Sequence, residues 1–246
     1  MEPDLFNQNV PAYKKAIVIG ASSGIGRAVS RILIKQNYRV GITGRRENLL
    51  KELQQGNPNQ YVYRVFDIRD MSKTSKYLNE MIRELGGLDL LVMSSGVGYI
   101  NEELDLEPEF RTIETNVTAF TDIITYIYRY FQQQGKGHIV GITSIAALRG
   151  NPGAPAYNAS KSYQMSYLEG LCLKSKKLHL PITITDVRPG YVATDMAKGD
   201  TLFWVASPEK AAAQIYRAIR RRRRKVYITK RWRLYALFLK LYYFNR

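Results

Sequence analysis

Seven residues, Gly20-Ala21-Ser22-Ser23-Gly24-Ile25-Gly26, join the apolar, β-branched run Lys15–Ile19 to a stretch in which Ile25, Val29, Ile32 and Leu33 recur at helical spacing. Glycines in such a loop let the chain turn sharply, approach a pyrophosphate and pack the following helix against a sheet, while amides at the helix start face the anion. Taken alone, the loop is also compatible with a tight turn and nothing more. A second chemical signal follows at Thr43-Gly44-Arg45-Arg46. No acid stands there to hold a ribose diol, and the planar fork of arginine binds phosphate through paired hydrogen bonds. The pair favours NADP(H) over NAD(H). The bland alternative, a solvated helix start, fits less well because cations there oppose the helix dipole.

Positioning such loops requires strands and helices in alternation, and the chain supplies them. Arg39–Thr43 precedes Arg46–Gln55, Tyr61–Phe66 precedes Met71–Leu85, and Leu88–Met93 precedes a long helical stretch within Pro108–Gln134. His138–Thr143 precedes Ala156–Lys177, Pro181–Val187 forms a sixth strand and Lys225–Thr229 a seventh. Ser207-Pro208-Glu209 reads as an N-cap, a first-turn proline and a first-turn acid. Strands linked by helices of this length need crossovers, which predicts one doubly wound, mostly parallel seven-stranded Rossmann-type sheet with helices on both faces. The whole chain, 1–246, reads as a single domain, with 230–246 a basic, aromatic extension. Ligands of such sheets sit at the carboxyl ends of the strands, near the switch in strand order.

Composition narrows the class. The 246 residues are 45% hydrophobic and 24% charged, near globular averages, which argues against disorder, collagen-like repeats and coiled coil. A single cysteine, Cys172, with His138 and His179, offers neither an internal disulfide nor a ligand set for a metal, and a reducing, intracellular setting is expected. Acids at the N-terminus and the lack of 18 consecutive apolar residues predict neither a secretion signal nor a membrane span, and hence a cytoplasmic protein.

The net charge of +16 is unevenly placed: 13 basic residues and no acid lie between Lys210 and Arg246. Arg220–Lys225 is an unbroken basic run, and Arg231–Phe244 surrounds a helix with Trp232, Leu234, Tyr235, Leu237, Phe238, Leu239, Leu241, Tyr242 and Tyr243. Such a helix needs a covering. Its own domain or a second subunit is one, and peripheral contact with an anionic membrane is another. Nucleic acid is disfavoured, because no base-reading motif accompanies the cations.

With these elements in place, the sequence resembles the short-chain dehydrogenase/reductase family over about residues 14–229. The likeness rests on Gly20-x-x-x-Gly24-x-Gly26, Asp67, Asn116, Ser144, Tyr157-Asn158-Ala159-Ser160-Lys161, and Pro189-Gly190 with Thr194. It implies a carbonyl reductase, reversible as an alcohol dehydrogenase, with Asn116, Ser144, Tyr157 and Lys161 as catalytic group. Tyr157 and Lys161, four apart, share a helix face, where the ammonium would lower the phenol from its usual pKa of about 10 and fit it for general acid–base work. Ser144 would hold the carbonyl oxygen. By resemblance Lys161 also binds the nicotinamide ribose, Asn116 holds a proton-relay water, Asp67 and Ile68 frame the adenine, and Pro189, Gly190, Val192 and Thr194 border the carboxamide. Gly20, Ser22, Ser23, Gly24, Ile25, Gly26, Arg45, Arg46, Ser95 and Gly96 complete the expected cofactor site. Dimers or tetramers are usual in the family.

Two departures stand out. Met93-Ser94-Ser95-Gly96 replaces the usual Asn-Asn-Ala-Gly, which questions local stability, and Ile19 replaces a common threonine, losing a polar contact under the loop. Substrate contacts are expected from Val97–Leu106, Ile145–Pro155 and Tyr191–Ser207, where Met196, Leu202, Phe203, Trp204 and Val205 suit a hydrophobic carbonyl compound and Arg149 adds one cation. Thioester, steroid-like, quinone and sugar-derived ketones all stay open. The rival reading is an NADP(H)-binding sensor or a membrane-surface scaffold acting through the basic tail.

Overall fold

Apolar β-branched runs repeated at strand length pair side by side once helices return the chain to the same edge. The computed structural model describes residues 13–196 and 203–243, the last five without side chains. The strands are β1 (Lys14–Ile19), β2 (Tyr38–Gly44), β3 (Tyr61–Val65), β4 (Leu90–Met93), β5 (Gly137–Ile142), β6 (Ile182–Pro189) and β7 (Lys225–Ile228). The helices are α1 (Gly24–Lys35), α2 (Glu47–Gly56), α3 (Met71–Leu85), α4 (Leu106–Ile113), α5 (Ala119–Gln134), α6 (Pro155–Lys177), α7 (Pro208–Arg220) and α8 (Arg231–Tyr243).

All described strand pairs are parallel, in the order β3-β2-β1-β4-β5-β6-β7, as the alternation predicts. The order reverses between β1 and β4. Leu33 of α1, Leu50 of α2 and Ile215 of α7 pack with Val18 and Val40 on one face; Leu78 of α3, Phe120 of α5 and Leu168 of α6 pack with Ile17 and Leu91 on the other. Ser207 caps α7 by accepting from the Lys210 amide at 3.1 Å, with Pro208 and Glu209 in the first turn.

The long helical stretch is not uniform. Between α4 and α5 the residues Glu114–Thr118 form a π-helical turn that carries Asn116. The basic tail also divides. Arg220–Lys225 closes α7, turns and opens β7 at the amino end of the sheet, and α8 follows at the carboxyl end. Within α8, Trp232 and Ala236 are buried, so the helix docks on its own domain, while Leu234 and Leu237 face outward.

Candidate active site

A cradle forms where β1 meets α1. A Cβ on Gly26 would lie 2.1 Å from the carbonyl oxygen of Gly20, so only glycine lets the helix begin against this loop. Ser23 occupies the N-cap in extended conformation, yet its side chain does not cap the helix, and no acid sits in the first turn. Its hydroxyl accepts instead from Arg46. That guanidinium also donates to Ser22 Oγ at 3.1 and 3.3 Å and pairs with Asp195 at 3.3 Å. Arg46 thus spans the mouth of a loop whose helix end remains positive, an arrangement suited to an anionic group. Arg45 is exposed, 3.8 Å from Asp67. Bonds from Arg69 to the Asp67 carboxylate, one at 2.7 Å, hold this acid below the usual carboxylate range, and Arg45 adds to the effect. Ile68, Ser95, Gly96, Pro189, Gly190, Val192 and Thr194 border the same space.

Deeper in, four side chains converge from three elements. Ser144, just past β5, caps the short 3-10 helix Ile145–Leu148 by accepting from the Ala146 amide at 3.0 Å, and its hydroxyl also draws the Tyr157 phenol downward in pKa. Capping and site roles therefore coexist in one hydroxyl. Tyr157 enters from the first turns of α6 with its ring against Gly98, where a Cβ would lie 2.6 Å from the ring. Lys161 Nζ lies 5.8 Å from that ring's centroid and donates to the Ile142 carbonyl at 3.3 Å and to Gln164 Oε1 at 3.0 Å. Asn116 binds the loop after β4 twice: Nδ2 donates to the Val97 carbonyl at 2.7 Å and Oδ1 accepts from the Val97 amide at 2.9 Å. Nδ2 also donates to Ser160 at 3.0 Å.

The electrostatics differ from the sequence expectation at one point. Burial pushes the Tyr157 phenol above its usual value, with the Ser144 hydroxyl pulling against it, so the expected lowering by Lys161 is not found. The ammonium spends two of its three donors on oxygens away from the phenol. Burial also lowers Lys161 from 10.5 to about 8.

Between cradle and convergence lies a cavity of about 1020 Å³ that borders Gly20, Arg46, Ser144, Tyr157 and Lys161. The sequence model of the short chain dehydrogenases matches residues 14–202. The chain belongs to the short-chain dehydrogenase family. An uncharacterized oxidoreductase of Myxococcus xanthus is 31% identical over 193 residues, covering 75% of this chain and 74% of its own. A probable NADP-dependent dehydrogenase of Haemophilus influenzae is 29% identical over 178 residues, covering 71% and 70%. Among solved structures, a short-chain dehydrogenase/reductase of Burkholderia phymatum in complex with NAD superposes with a TM-score of 0.81 at 17% identity, covering 91% of this chain and 92% of that one. Short-chain dehydrogenases are oxidoreductases with a nicotinamide cofactor, and the cradle described above is suited to one.

Several features of this family member escaped the sequence. Gln164 carried no motif, and its place on the Lys161 face of α6, three residues on, was the one available signal. Aromatic residues Tyr191, Phe203, Trp232 and Tyr235 wall the outer cavity, with ring centroids 5.2–5.8 Å apart for Trp232–Phe203, Trp232–Tyr235, Trp232–Tyr191 and Tyr191–Phe203. Trp232 comes from α8, far along the chain. Of the residues expected here, Phe203, Met196 and Arg149 border the cavity, Trp204 and Val205 are exposed beyond its lining, and Leu202 lies outside the described residues. The substitution at Ser94 leaves the strand intact, since its amide still donates to the Ile19 carbonyl at 2.9 Å. Beside Ile19, the buried hydroxyl of Thr43, its register partner on β2, has no hydrogen-bond partner among the described residues.

Proposed function

We propose that this short-chain dehydrogenase is an NADP(H)-dependent carbonyl reductase acting on a hydrophobic ketone. The observation that carries the reading is the convergence of Ser144, Tyr157 and Lys161 at the floor of a cavity whose other end is spanned by Arg46. The reduced nicotinamide, when bound, supplies the hydride. Ser144 holds the carbonyl oxygen through its hydroxyl. Tyr157, kept protonated by burial, donates its proton to that oxygen as negative charge develops there. Lys161 then stabilises the phenolate it faces and, with Asn116 bracing the neighbouring loop, orients the ribose. Ser22, Ser23, Arg45 and Arg46 hold the adenosine phosphate; Asp67 and Ile68 frame the adenine, and Pro189, Gly190, Val192 and Thr194 the carboxamide. The aromatic wall excludes water and favours an apolar body on the substrate.

Loss of NADPH absorbance across a panel of hydrophobic ketones tests this reading. Tyr157→Phe should cut turnover by about 10²-fold or more with NADPH affinity retained, since one general acid contributes about 10²–10⁴-fold. Arg46→Leu should weaken NADPH and spare NADH. Undiminished turnover in Tyr157→Phe refutes the mechanism, and equal loss for both cofactors in Arg46→Leu refutes the NADP preference.

A second reading concerns placement. No described helix is long and apolar enough to cross a membrane. Outward-facing Leu234, 72% exposed, and Leu237, flanked by Lys230, Arg231 and Arg233, support shallow attachment of α8 to an anionic membrane. On α4, Leu106, Phe110 and Ile113 form an exposed stripe at helical spacing that supports association with a second copy of the chain.

A further inference from the structure

A π-helical turn lengthens the backbone ring, and one carbonyl in it is released for other partners. In the turn Glu114–Thr118 the carbonyl of Asn116 has such a partner. It accepts from Gln164 Nε2 at 2.8 Å, and the oxygen of the same amide accepts from Lys161 Nζ at 3.0 Å. Gln164 is 1% exposed. It lies three residues after Lys161 and seven after Tyr157, so α6 presents all three along one face. The amide's orientation follows from chemistry: an ammonium has no acceptor, so the oxygen must face Lys161 and the NH₂ group the carbonyl.

We propose that Gln164 is a positioning residue, an amide strut that ties the Lys161 ammonium to the π-turn carbonyl of Asn116, in the place the family resemblance gives to a relay water. An amide neither takes up nor releases a proton near neutral pH, so the strut places charge and does not conduct it. Of the three ammonium donors, one is committed to Ile142 and one to Gln164, leaving one for Tyr157 or a ligand. The Ile142 and Gln164 oxygens both favour the charged amine. Among the described residues Tyr157 is the titratable group set against it, and no charged side chain contributes to its shift.

The inference rests on the reading of Lys161 as the cation that serves Tyr157, and its test separates the two. Protein labelled with ¹³Cε-lysine is titrated without cofactor, Lys161→Met identifying the Lys161 resonance, and NADPH turnover is measured in parallel. Gln164→Leu removes the acceptor at similar volume and should lower the Lys161 midpoint by about one unit, as befits loss of a hydrogen bond to a charged group. Gln164→Glu places a carboxylate beside the ammonium and should raise it by a similar amount. Loosened packing alone would not move the midpoint in opposite directions. Midpoints that stay put, or shift the same way in both variants, overturn the strut whatever the turnover. Opposite shifts in a protein that turns over no ketone would support the strut and count against the reductase reading instead.

Discussion

If Lys161 must be an ammonium to do its work, the enzyme should fail on the alkaline side far earlier than an ordinary lysine would dictate. Burial moves this group from 10.5 to about 8, a difference of about 2.5 units or, at about 1.4 kcal/mol per unit, about 3 kcal/mol set against the charged form. One unit above the midpoint about a tenth of the molecules retain the charge. The kcat/KM for NADPH reports the free enzyme, so it should fall about tenfold per unit above pH 8. Tyr157, pushed upward by burial, stays protonated through that range and does not supply the limb. Stability should move the other way. A lysine with a lowered folded pKa binds fewer protons than the unfolded chain between 8 and 10.5, so unfolding becomes harder as pH rises from 8 to 10, by about 2 kcal/mol from this group. Steady-state kinetics and urea unfolding, each followed from pH 7 to 10, measure the two trends. Lys161→Arg, charged throughout, should lose both the alkaline limb and the stability rise while turning over more slowly. A wild-type profile flat to pH 10 would refute the reasoning, as would a fall in activity that tracks unfolding.

Four other outcomes follow from particular features of the structure. Burial lowers His138 from 6.5 to about 4, so stability present above pH 6.5 should be lost between 6.5 and 4, by about 3 kcal/mol, and the difference between wild type and His138→Gln in urea unfolding should shrink across that window; a constant difference contradicts it. The histidine's Nε2 should be the protonated nitrogen below neutrality and above, because Thr185 Oγ1, 2.8 Å away, spends its own proton on the Arg223 carbonyl. A Cβ on Gly190 would lie 2.0 Å from the Trp232 ring, so Gly190→Ala should lever α8 outward, shift tryptophan emission to the red and cost about 1–3 kcal/mol; unchanged emission would show that the ring is not seated there. Deleting residues 231–246 should abolish flotation with anionic liposomes, and binding that survives would remove α8 as the anchor.

Much of the frame could be read directly. Strand-length apolar runs alternating with helical spacing are local properties, and helices that cross over between successive strands make those strands parallel. Strand and helix boundaries therefore agree with the sequence to within about two residues, and Ser207 caps its helix for reasons contained in four residues. The glycine loop, Arg46, and the Ser144, Tyr157 and Lys161 group were likewise legible, since each is a residue type at a fixed distance from an element end. Other properties depend on what comes to lie nearby. The π-turn at Asn116 is set by a hydrogen-bond choice that residue types do not encode, and Gln164 matters because α6 carries it to a carbonyl of that turn. Spacing alone could not give the titration of Tyr157: four residues on a helix bring it to one face with Lys161, but burial, set by the whole domain, pushes the phenol up and the amine down. The basic tail looked like one feature and is two, because β7 runs the length between them and puts Arg220–Lys225 and α8 at opposite ends of the sheet. Sequence determined which groups could react; tertiary structure decided their distances and their water, and through these their charge.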